Sequence, residues 1–388
     1  MKRISILGST GSIGRQVLDV IDSLGPEYRV VALAAGSSDQ MLADQILRYK
    51  PEIAAINDLS AAARLIERLK PEKYCIITGS EGQMAAATWP SADLVIMAQV
   101  GFSGFEPLVA ALKEGKTIAL ANKESLVVGG EILERMGLLN REKIIPLDSE
   151  HSAIRQCLDS SPIEEVNKIY LTASGGPFFG MHNNELQKVT PKMALNHPNW
   201  SMGSKITIDS ATMINKGLEV MEAKWLFGLN LDQIEVIVHR QSIIHSMVEY
   251  IDGTIIAQLG LPDMRLPIQY ALTYPERKTN KLKRYNPYGE SLSFEKPDMV
   301  NFPGLELAFR AAEAGGTMPA VFNGANEISV SYFLNGDINF VDIPAVIDSV
   351  MKSHERILNP EISDVLCADD WSRKKADEFI AGLKGKVI

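Results

Sequence analysis

A glycine-rich segment near the N-terminus constrains the fold of this chain more than any other feature. Residues 2–7 (KRISIL) read as a short buried strand, and residues 12–24 have the apolar spacing of a helix. Between them Gly8, Gly11 and Gly14 form a GxxGxxG spacing, a variant of the usual dinucleotide-binding GxGxxG. Glycines allow close approach of the backbone to a pyrophosphate, and the helix N-terminus supplies free N–H groups. The pattern favours a dinucleotide-binding turn over a plain glycine turn.

Strands and helices continue to alternate through the first 120 residues. The spacing predicts strands at 29–35, 53–56, 74–78, 93–97 and 117–120, with helices at 39–48, 59–69, 81–87 and 105–114. Such alternation indicates βαβ units and a parallel sheet. Right-handed crossovers then place a phosphate site at the carboxyl edge of that sheet.

The rhythm changes near residue 146. Four strands of a different, α+β region are expected at 166–172, 234–238, 245–251 and 254–259, and the later patterns are helical at 304–315, 319–333, 342–353 and 370–383. The predicted fold is α/β, with a Rossmann-like N-terminal sheet, an α+β catalytic domain and a small C-terminal helical domain. The expected boundaries are 1–147 for the coenzyme domain, 148–275 for the catalytic domain, 276–303 for a linker and 304–388 for the helical domain.

Composition narrows the classes of partner. The net charge is −9, which argues against a nucleic-acid partner because such partners require a basic face. No stretch approaches the roughly 18 apolar residues of a membrane span, and the N-terminal apolar run is too short for a signal peptide. The three widely spaced cysteines predict no disulfide framework. We therefore expect a cytoplasmic protein without a membrane partner.

The end of the second strand bears on the type of coenzyme. Enzymes that use NAD usually carry Asp or Glu there to bind the ribose 2′-OH. This chain has Gly36, Ser37 and Ser38, and its first acidic residue is Asp39. Two hydroxyls without a carboxylate favour a 2′-phosphate and therefore NADP, although the tip itself contains no Arg or Lys.

A pair of carboxylates follows the next predicted strand, which ends at Pro146. In an extended segment, Asp148 and Glu150 on either side of Ser149 would point to the same side. Neighbouring carboxylates repel each other unless a cation lies between them, and oxygen ligands suit Mg²⁺ or Mn²⁺. The alternative is a solvated acidic turn.

A second polar segment, residues 209–219 (DSATMINKGLE), supports the metal interpretation. Asp209 or Ser210 is expected to cap a helix on which Asn215 and Glu219 share a face. Ser210, Asn215 and Lys216 would form a phosphate cradle of charge-assisted donors, and Glu219 would complete a three-carboxylate metal site. The alternative is an ordinary surface pair of Lys216 with Glu219.

Three further segments carry polar or aromatic residues in loops. Residues 197–203 (HPNWSMG) have the composition of a lid that excludes water, here expected near 197–204. Ser174 lies in a Ser-Gly-Gly sequence that offers donors to an anion. Lys123 follows the strand at 117–120, so we expect it to face the coenzyme cleft.

Together these segments resemble the 1-deoxy-D-xylulose 5-phosphate reductoisomerases, NADPH-dependent enzymes of the methylerythritol phosphate route to isoprenoids. The motifs that carry the resemblance are GSTGSIG (8–14), ANKESLV (121–127), LDSEHSA (147–153), TASGGPF (172–178), HPNWSMG (197–203), DSATMINKGLE (209–219) and LPDMRLPI (261–268). They occur in the family's order over most of the first 270 residues.

The resemblance implies a role for each matched residue. NADPH contacts are implied for Thr10, Gly11, Ser12, Ile13, Gly36, Ser37, Ser38, Asn122, Glu124, Gly203 and Met264. Asp148, Glu150 and Glu219 are implied as ligands of one Mg²⁺ or Mn²⁺, with Co²⁺ as a further candidate. Substrate contacts are implied for Lys123, Ser149, Glu150, Ser174, His197, Ser210, Asn215, Lys216 and Glu219, with Trp200 and Met202 in the lid. Lys123 and the three carboxylates would be the catalytic residues, the substrate a sugar phosphate and the assembly a homodimer.

Two other interpretations stay open on the residues alone. A metal-free NADP-dependent sugar-phosphate or semialdehyde dehydrogenase would share the glycine turn but would need no carboxylate cluster and often uses a catalytic cysteine. A non-catalytic nucleotide-binding module would bind coenzyme without turnover. Oxidation of NADPH by the phosphosugar, with and without metal, discriminates among the three.

Overall fold

The computed structural model describes residues 1–69, 73–159, 161–200 and 202–384. The chain divides into two compact units, each built from separate segments. Unit 1 contains residues 1–125, 137–152 and 263–283, and unit 2 contains residues 126–136, 153–262 and 284–388. The segment 263–283 therefore belongs with the N-terminal residues, and the C-terminal helices belong with the second sheet. The functional domain boundaries given above stay a prediction.

The N-terminal elements follow the predicted alternation closely. They are β1 (Lys2–Leu7), α1 (Ser12–Leu24), β2 (Tyr28–Ala35), α2 (Asp39–Tyr49), β3 (Ile53–Ile56), α3 (Leu59–Leu69), β4 (Ile76–Thr78), α4 (Gly79–Ala87), β5 (Leu94–Met97), α5 (Phe105–Lys113), β6 (Thr117–Leu120), α6 (Lys123–Arg135), β7 (Ile144–Pro146) and α7 (Ser149–Leu158). Helices α6 and α7 are additions to the predicted set, because their polar first turns obscure the apolar spacing that follows.

The remaining elements begin with the second sheet. They are β8 (Val166–Ala173), α8 (Asn183–Leu186), α9 (Pro191–Ala194), α10 (Ser204–Ala211), α11 (Ile214–Phe227), β9 (Ile234–Val238), β10 (Ile244–Tyr250), β11 (Ile255–Leu259), α12 (Arg265–Thr273), α13 (Gly304–Ala314), α14 (Met318–Leu334), α15 (Asp342–Lys352) and α16 (Ile362–Lys384). The four predicted strands of this region are confirmed within one residue at each end. Helix α16 begins eight residues before the predicted start.

Unit 1 is organised around a seven-stranded parallel sheet in the order β4-β3-β2-β1-β5-β6-β7. Its strands are buried runs such as Ile53–Ile56 and Leu94–Met97, as expected for a sheet covered on both faces. Helix α1 buries its apolar side, and α12 packs beside it. The strand order reverses between β1 and β5, and ligands of such sheets bind at this reversal, beyond the carboxyl ends of the strands. The predicted Rossmann-like sheet is confirmed.

Unit 2 combines a four-stranded mixed sheet with helices. The strand order is β11-β10-β8-β9, in which β10 is antiparallel to both neighbours and β8 is parallel to β9. Helix α11 packs so closely against α13 that a Cβ on Gly217 would lie 2.2 Å from the Cβ of Ala308. The α+β region and the helical C-terminal region are both confirmed.

Among the residues that the structure describes, none of the helices combines the length and the apolar character that a membrane crossing would require.

Candidate active site

The glycine turn after β1 has the geometry that a pyrophosphate requires. Gly8 has a φ of +80°, and a Cβ on it would lie 2.3 Å from the carbonyl oxygen of Ala98, at the end of β5. A Cβ on Gly14 would lie 2.3 Å from the carbonyl oxygen of Gly8. The N-cap of α1 is Gly11, and no side chain caps the helix, so the first N–H groups of α1 face an uncapped end. This end fits an anionic group of a dinucleotide.

The turn is braced from beneath by a buried pair of polar side chains. Ser9 Oγ donates to Gln45 Oε1 at 2.7 Å, and Gln45 Nε2 donates to the Ser9 carbonyl oxygen at 2.9 Å. The predicted coenzyme residues Thr10, Ser12 and Ile13 remain at least partly exposed above this brace. The structure therefore leaves these three residues accessible to a bound molecule.

The tip of β2 carries a charge cluster that the sequence alone did not reveal. Gly36, Ser37 and Ser38 are exposed. They lead directly into α2, whose first residue, Asp39, is buried. Arg64 Nε and Nη2 donate to Asp39 Oδ1 at 3.1 and 3.0 Å, and Arg68 Nε lies 3.5 Å from Asp39 Oδ2. The Asp39 carboxylate, which directly follows the tip, is thus held between two guanidinium groups of α3.

The turn between β6 and α6 places three predicted site residues in buried positions. Asn122 Nδ2 donates to the carbonyl oxygens of Gln99 and Gly101 at 3.0 and 2.7 Å and to Glu124 Oε2 at 3.2 Å. The Asn122 side chain therefore braces neighbouring loops. Lys123 is 6 % exposed, and its Nζ donates to Asp148 Oδ2 at 2.7 Å.

The segment 148–150 differs from the extended conformation that we predicted. Ser149 and Glu150 lie in the first turn of α7. Asp148 directly precedes the helix and caps it, since its carboxylate accepts the Glu150 N–H at 3.2 Å. Ser149 Oγ donates to Glu150 Oε2 at 2.5 Å. The predicted extended backbone is therefore wrong, but Asp148 and Glu150 still lie together at the N-terminal end of α7.

Asp148 is held as an anion. Burial alone would raise the pKa of its carboxyl, but the Lys123 ammonium and the His151 ring outweigh burial and hold that pKa well below its usual range. His151 Nδ1 lies 3.5 Å from Asp148 Oδ1. An ionised carboxylate beside Glu150 is a suitable oxygen donor for a hard divalent cation. The donor set on unit 1 therefore fits Mg²⁺ or Mn²⁺.

The helix that we predicted across 209–219 is two helices in unit 2. Helix α10 ends at Ala211 and α11 begins at Ile214, with Met213 at a φ of +63° between them. The capping role predicted for Asp209 or Ser210 is wrong, because both lie in the last turn of α10. Asp209 is instead buried, with Lys205 Nζ at 2.7 Å and Asn326 Nδ2 at 2.9 Å.

The predicted grouping of Asn215, Lys216 and Glu219 on α11 is confirmed. Asn215 Nδ2 donates to Glu219 Oε1 at 2.5 Å, and Lys216 Nζ donates to Glu219 Oε2. Lys216 and Glu219 are 4 % and 1 % exposed, so the alternative of an ordinary surface pair is wrong. A buried carboxylate held by an amide and an ammonium is positioned before any ligand arrives.

Ser174, His197 and Ser210 come together in unit 2. The hydroxyls of Ser174 and Ser210 lie 3.1 and 3.2 Å from His197 Nε2. The backbone N–H groups of Asn199 and Trp200 donate to His197 Nδ1 at 3.2 and 3.0 Å, which assigns the hydrogen of the neutral ring to Nε2. Burial lowers the pKa of His197 and favours that neutral ring. Two hydroxyls and one N–H can thus donate to a single anion.

The lid loop is anchored at its centre. Asn199 Nδ2 donates to the Arg240 carbonyl oxygen at 2.7 Å and to Ser242 Oγ at 2.9 Å. Trp200 is half-buried, with its ring centroid 6.1 Å from that of His245, and Met202 is also half-buried. Gly203 is the N-cap of α10. Ser201 of the same loop lies outside the described residues.

The last predicted coenzyme residue, Met264, occupies the N-cap position of α12 and packs partly buried on the unit 1 core.

Sequence reasoning missed His151, Arg64 and Arg68. His151 follows the carboxylate pair within one helical turn, so its proximity to Asp148 could have been inferred from a helical interpretation. Arg64 and Arg68 have i, i+4 spacing on α3, but only the fold brings them to the tip of β2.

Three family sequence profiles match this chain in order. The profile of 1-deoxy-D-xylulose 5-phosphate reductoisomerase matches residues 4–130, that of the enzyme's C-terminal domain matches residues 144–227, and that of the DXP reductoisomerase C-terminal domain matches residues 259–375.

Relatives of the same family match along their full lengths. The 1-deoxy-D-xylulose 5-phosphate reductoisomerase of Pelotomaculum thermopropionicum is 52% identical over 99% of this chain and 100% of its own. A crystal structure of DOX-P reductoisomerase in complex with NADPH, fosmidomycin and magnesium is 37% identical, with a TM-score of 0.92 over 99% of both chains. The Zymomonas mobilis enzyme in complex with NADPH is 40% identical, with a TM-score of 0.90 over 98% of this chain and 99% of its own. This chain therefore belongs to the 1-deoxy-D-xylulose 5-phosphate reductoisomerase family.

Proposed function

We propose that this protein converts 1-deoxy-D-xylulose 5-phosphate to 2-C-methyl-D-erythritol 4-phosphate, using NADPH and a divalent cation, in the methylerythritol phosphate route to isoprenoid precursors. The observation that carries the proposal is family membership along the whole chain. A member of the same fold and family has been solved with NADPH and magnesium together. The local arrangements in each unit of this chain suit those same groups.

The coenzyme would be held by the glycine turn and the tip of β2. The uncapped N-terminus of α1 suits the pyrophosphate, and Gly36, Ser37 and Ser38 suit the ribose end. Coenzyme contacts from Asn122, Glu124, Gly203 and Met264 complete this part of the proposal.

The cation would be held by Asp148, Glu150 and Glu219. Asp148 is an anion at neutral pH, and Glu219 is fixed by Asn215 and Lys216. When bound, a divalent cation polarises the carbonyl and hydroxyl oxygens of a hydroxy-ketone, and NADPH supplies a hydride. Lys123, already hydrogen-bonded to Asp148, would donate to the reacting oxygen alongside Ser149.

The substrate phosphate would be held by Ser174, Ser210 and His197, with Asn215 and Lys216. The neutral His197 ring donates through Nε2, while its Nδ1 is fixed by two backbone N–H groups. This end of the substrate undergoes no bond change, so its binding energy serves to orient the reacting end. Trp200 and Met202 would exclude water from the carbon rearrangement.

The dehydrogenase alternative that relies on a catalytic cysteine has little support. Cys157 is 4 % exposed, and burial raises the pKa of its thiol to about 11. A thiol with such a pKa is protonated at neutral pH and is a poor nucleophile.

The test is NADPH oxidation, followed by the absorbance of the reduced coenzyme, with 1-deoxy-D-xylulose 5-phosphate and either Mg²⁺, Mn²⁺ or a chelator. We expect substrate-dependent oxidation that a chelator abolishes and added metal restores. Equal turnover in a chelator-stripped sample would exclude the metal role, and coenzyme binding without turnover would favour the non-catalytic module.

A cytoplasmic homodimer is a further part of the proposal. In the described sheet of unit 2, β11 lies at the edge, and its Ile255, Ile256 and Leu259 are 49%, 44% and 44% exposed. An exposed apolar edge strand is a natural place for a second copy to pair. The exposed thiols of Cys75 and Cys367 suit a reducing compartment.

A further inference from the structure

We infer that Arg64 and Arg68 of α3 bind the 2′-phosphate of NADPH and set the preference for NADPH over NADH. This inference rests on the proposed function, since it assumes that the glycine turn of unit 1 holds a nicotinamide dinucleotide. It assigns the cationic part of the site to α3, the helix that follows the next strand along the chain, because the side chains at the tip of β2 offer hydroxyls only.

The backbone ties the start of α3 to the tip of β2. The N–H groups of Asn57 and Asp58 donate to the Gly36 carbonyl oxygen at 3.1 and 3.0 Å. Asp58 then caps α3, because its Oδ1 accepts the Ala61 N–H at 2.7 Å. Helix α3 therefore starts beside Gly36, and Arg64 and Arg68 lie on successive turns of it.

Asp39 brings both guanidinium groups to the tip. The Asp39 N–H donates to the Ser37 carbonyl oxygen at 3.0 Å, which folds this residue against the tip. Arg64 donates to Asp39 Oδ1 through Nε and Nη2, and Arg68 lies against Oδ2. Two cations on one carboxylate leave a net positive charge, which favours an anion over a neutral hydroxyl at this place.

The two arginines retain donors for a second anion. A guanidinium group has five N–H donors, and Arg64 uses two of its nitrogens on Asp39 within the described residues. The Arg64 and Arg68 side chains are 52% and 46% exposed, whereas that of Asp39 is 12% exposed. The exposed side of the cluster is therefore cationic, and guanidinium is well suited to bind a phosphate.

The competing assignment gives Asp39 the role of the acidic residue that binds the ribose 2′-OH in NAD-dependent enzymes. Both of its oxygens already face guanidinium groups, and its side chain is nearly buried. We assign Asp39 instead as a positioning residue that orients Arg64 and Arg68.

The experiment compares Arg64→Gln, Arg68→Gln and the double variant with wild-type protein. Affinities for NADPH and NADH are measured by fluorescence titration, and 2′,5′-ADP and 5′-AMP serve as competing probes. The matched control is Arg48→Gln, an exposed arginine of α2 that pairs with Asp22 at 2.7 Å. Arg64→Lys, which keeps the charge, guards against a simple folding defect, and circular dichroism checks each variant.

We expect Arg64→Gln to weaken NADPH binding about tenfold and the double variant about a hundredfold, with NADH binding unchanged. Arg64→Lys should recover part of the loss, and Arg48→Gln should have no effect. Equal losses for NADPH and NADH, or an unchanged ratio, would overturn the inference. Loss of NADH affinity in Asp39→Asn would also overturn it, because Asp39 would then bind the ribose hydroxyl.

Failure of the proposed function gives a different result. If wild-type protein binds neither NADPH nor 2′,5′-ADP, the coenzyme assignment itself is wrong. If wild-type protein oxidises NADPH with 1-deoxy-D-xylulose 5-phosphate while Arg64→Gln keeps the full NADPH preference, only the arginine assignment is wrong.

Discussion

At the scale of single residues, the site side chains are arranged before any ligand binds. Glu219 is held by Asn215 and Lys216, Asp148 is held by Lys123, and His197 is oriented by two backbone N–H groups. Each arrangement fixes a charge or a donor that a flexible side chain would otherwise have to order during binding.

Replacing Glu219 with Gln is expected to abolish turnover while NADPH binding is retained, because the amide cannot supply an anionic ligand for the cation. The measurements are the rate of NADPH oxidation and the fluorescence titration of NADPH. The change also leaves Lys216 buried beside a neutral group, so circular dichroism must show that the variant folds.

Asp148→Asn provides a second test of the same metal site. Glu235→Gln is the matched control, since Glu235 forms a half-exposed pair with Lys168 on the sheet of the same unit as Glu219. Wild-type rates in both Glu219→Gln and Asp148→Asn would remove these carboxylates from the proposed metal site.

His197 is expected to make the stability of the protein depend on pH. Burial lowers the pKa of His197 in the folded chain, whereas the unfolded chain titrates near pH 6.5. As the pH falls through about 6.5, the unfolded state therefore binds the proton first, and the free energy of unfolding decreases. Urea denaturation at pH 7.5 and 5.5 should show a smaller pH effect in His197→Gln than in wild-type protein.

The matched control for this experiment is His182→Gln, at an exposed histidine of the same unit. That variant should keep the pH effect of wild-type protein. An unchanged pH effect in His197→Gln would mean that the ring contributes nothing to proton-linked unfolding.

At the scale of elements, agreement between sequence and structure depends on how local the determining interactions are. Strand β1, the glycine turn and α1 were predicted within one residue, because buried strands, glycine turns and amphipathic helices leave local patterns. The segment 209–219 was predicted as one helix, but Met213 adopts a positive φ and divides it. A non-glycine residue in that conformation has no local signal and requires support from its surroundings.

Gly14→Ala is expected to disrupt the turn between β1 and α1. The added methyl would lie 2.3 Å from the Gly8 carbonyl oxygen and 2.6 Å from Ser9 Cα, so the backbone must move. We expect NADPH affinity to fall at least about tenfold and the melting temperature to drop. These two quantities are measured by fluorescence titration and by thermal denaturation.

Gly382→Ala is the control, because Gly382 is also helical and a Cβ on it would meet no atom within 4 Å. Alanine is favoured over glycine by about 1 kcal/mol in a helix, so this variant should be neutral or slightly stabilised. Wild-type NADPH affinity in Gly14→Ala would show that the turn tolerates the methyl group and is not closely packed around the coenzyme.

At the scale of the whole molecule, each unit draws residues from distant parts of the chain. Unit 1 recruits α12 onto the sheet formed by the first 146 residues, and unit 2 combines the second sheet with the C-terminal helices. The sequence pattern changes near residue 146, but that residue lies within unit 1, and the chain passes from one unit to the other at residues 126, 137, 153, 263 and 284.

Ile255→Lys on the edge strand β11 is expected to convert a dimer into a monomer, because a charge would be placed within an apolar pairing surface. Size-exclusion chromatography with light scattering measures the mass. Val300→Lys is the control, since Val300 is 88% exposed and lies outside β11. A wild-type monomer, or an Ile255→Lys dimer of equal stability, would contradict the proposed edge-strand interface.

The sequence by itself determined the coenzyme turn, the order of strands and helices, and the residue types of the candidate site, because these follow from local backbone preferences and apolar spacing. It also identified the family through several motifs in order. Only the tertiary structure decided that Arg64 and Arg68 lie at Asp39, that Lys123 pairs with Asp148 and that Ser174 and Ser210 share His197. Those contacts join residues 13 to 29 positions apart, and their formation depends on how helices pack beside neighbouring strands.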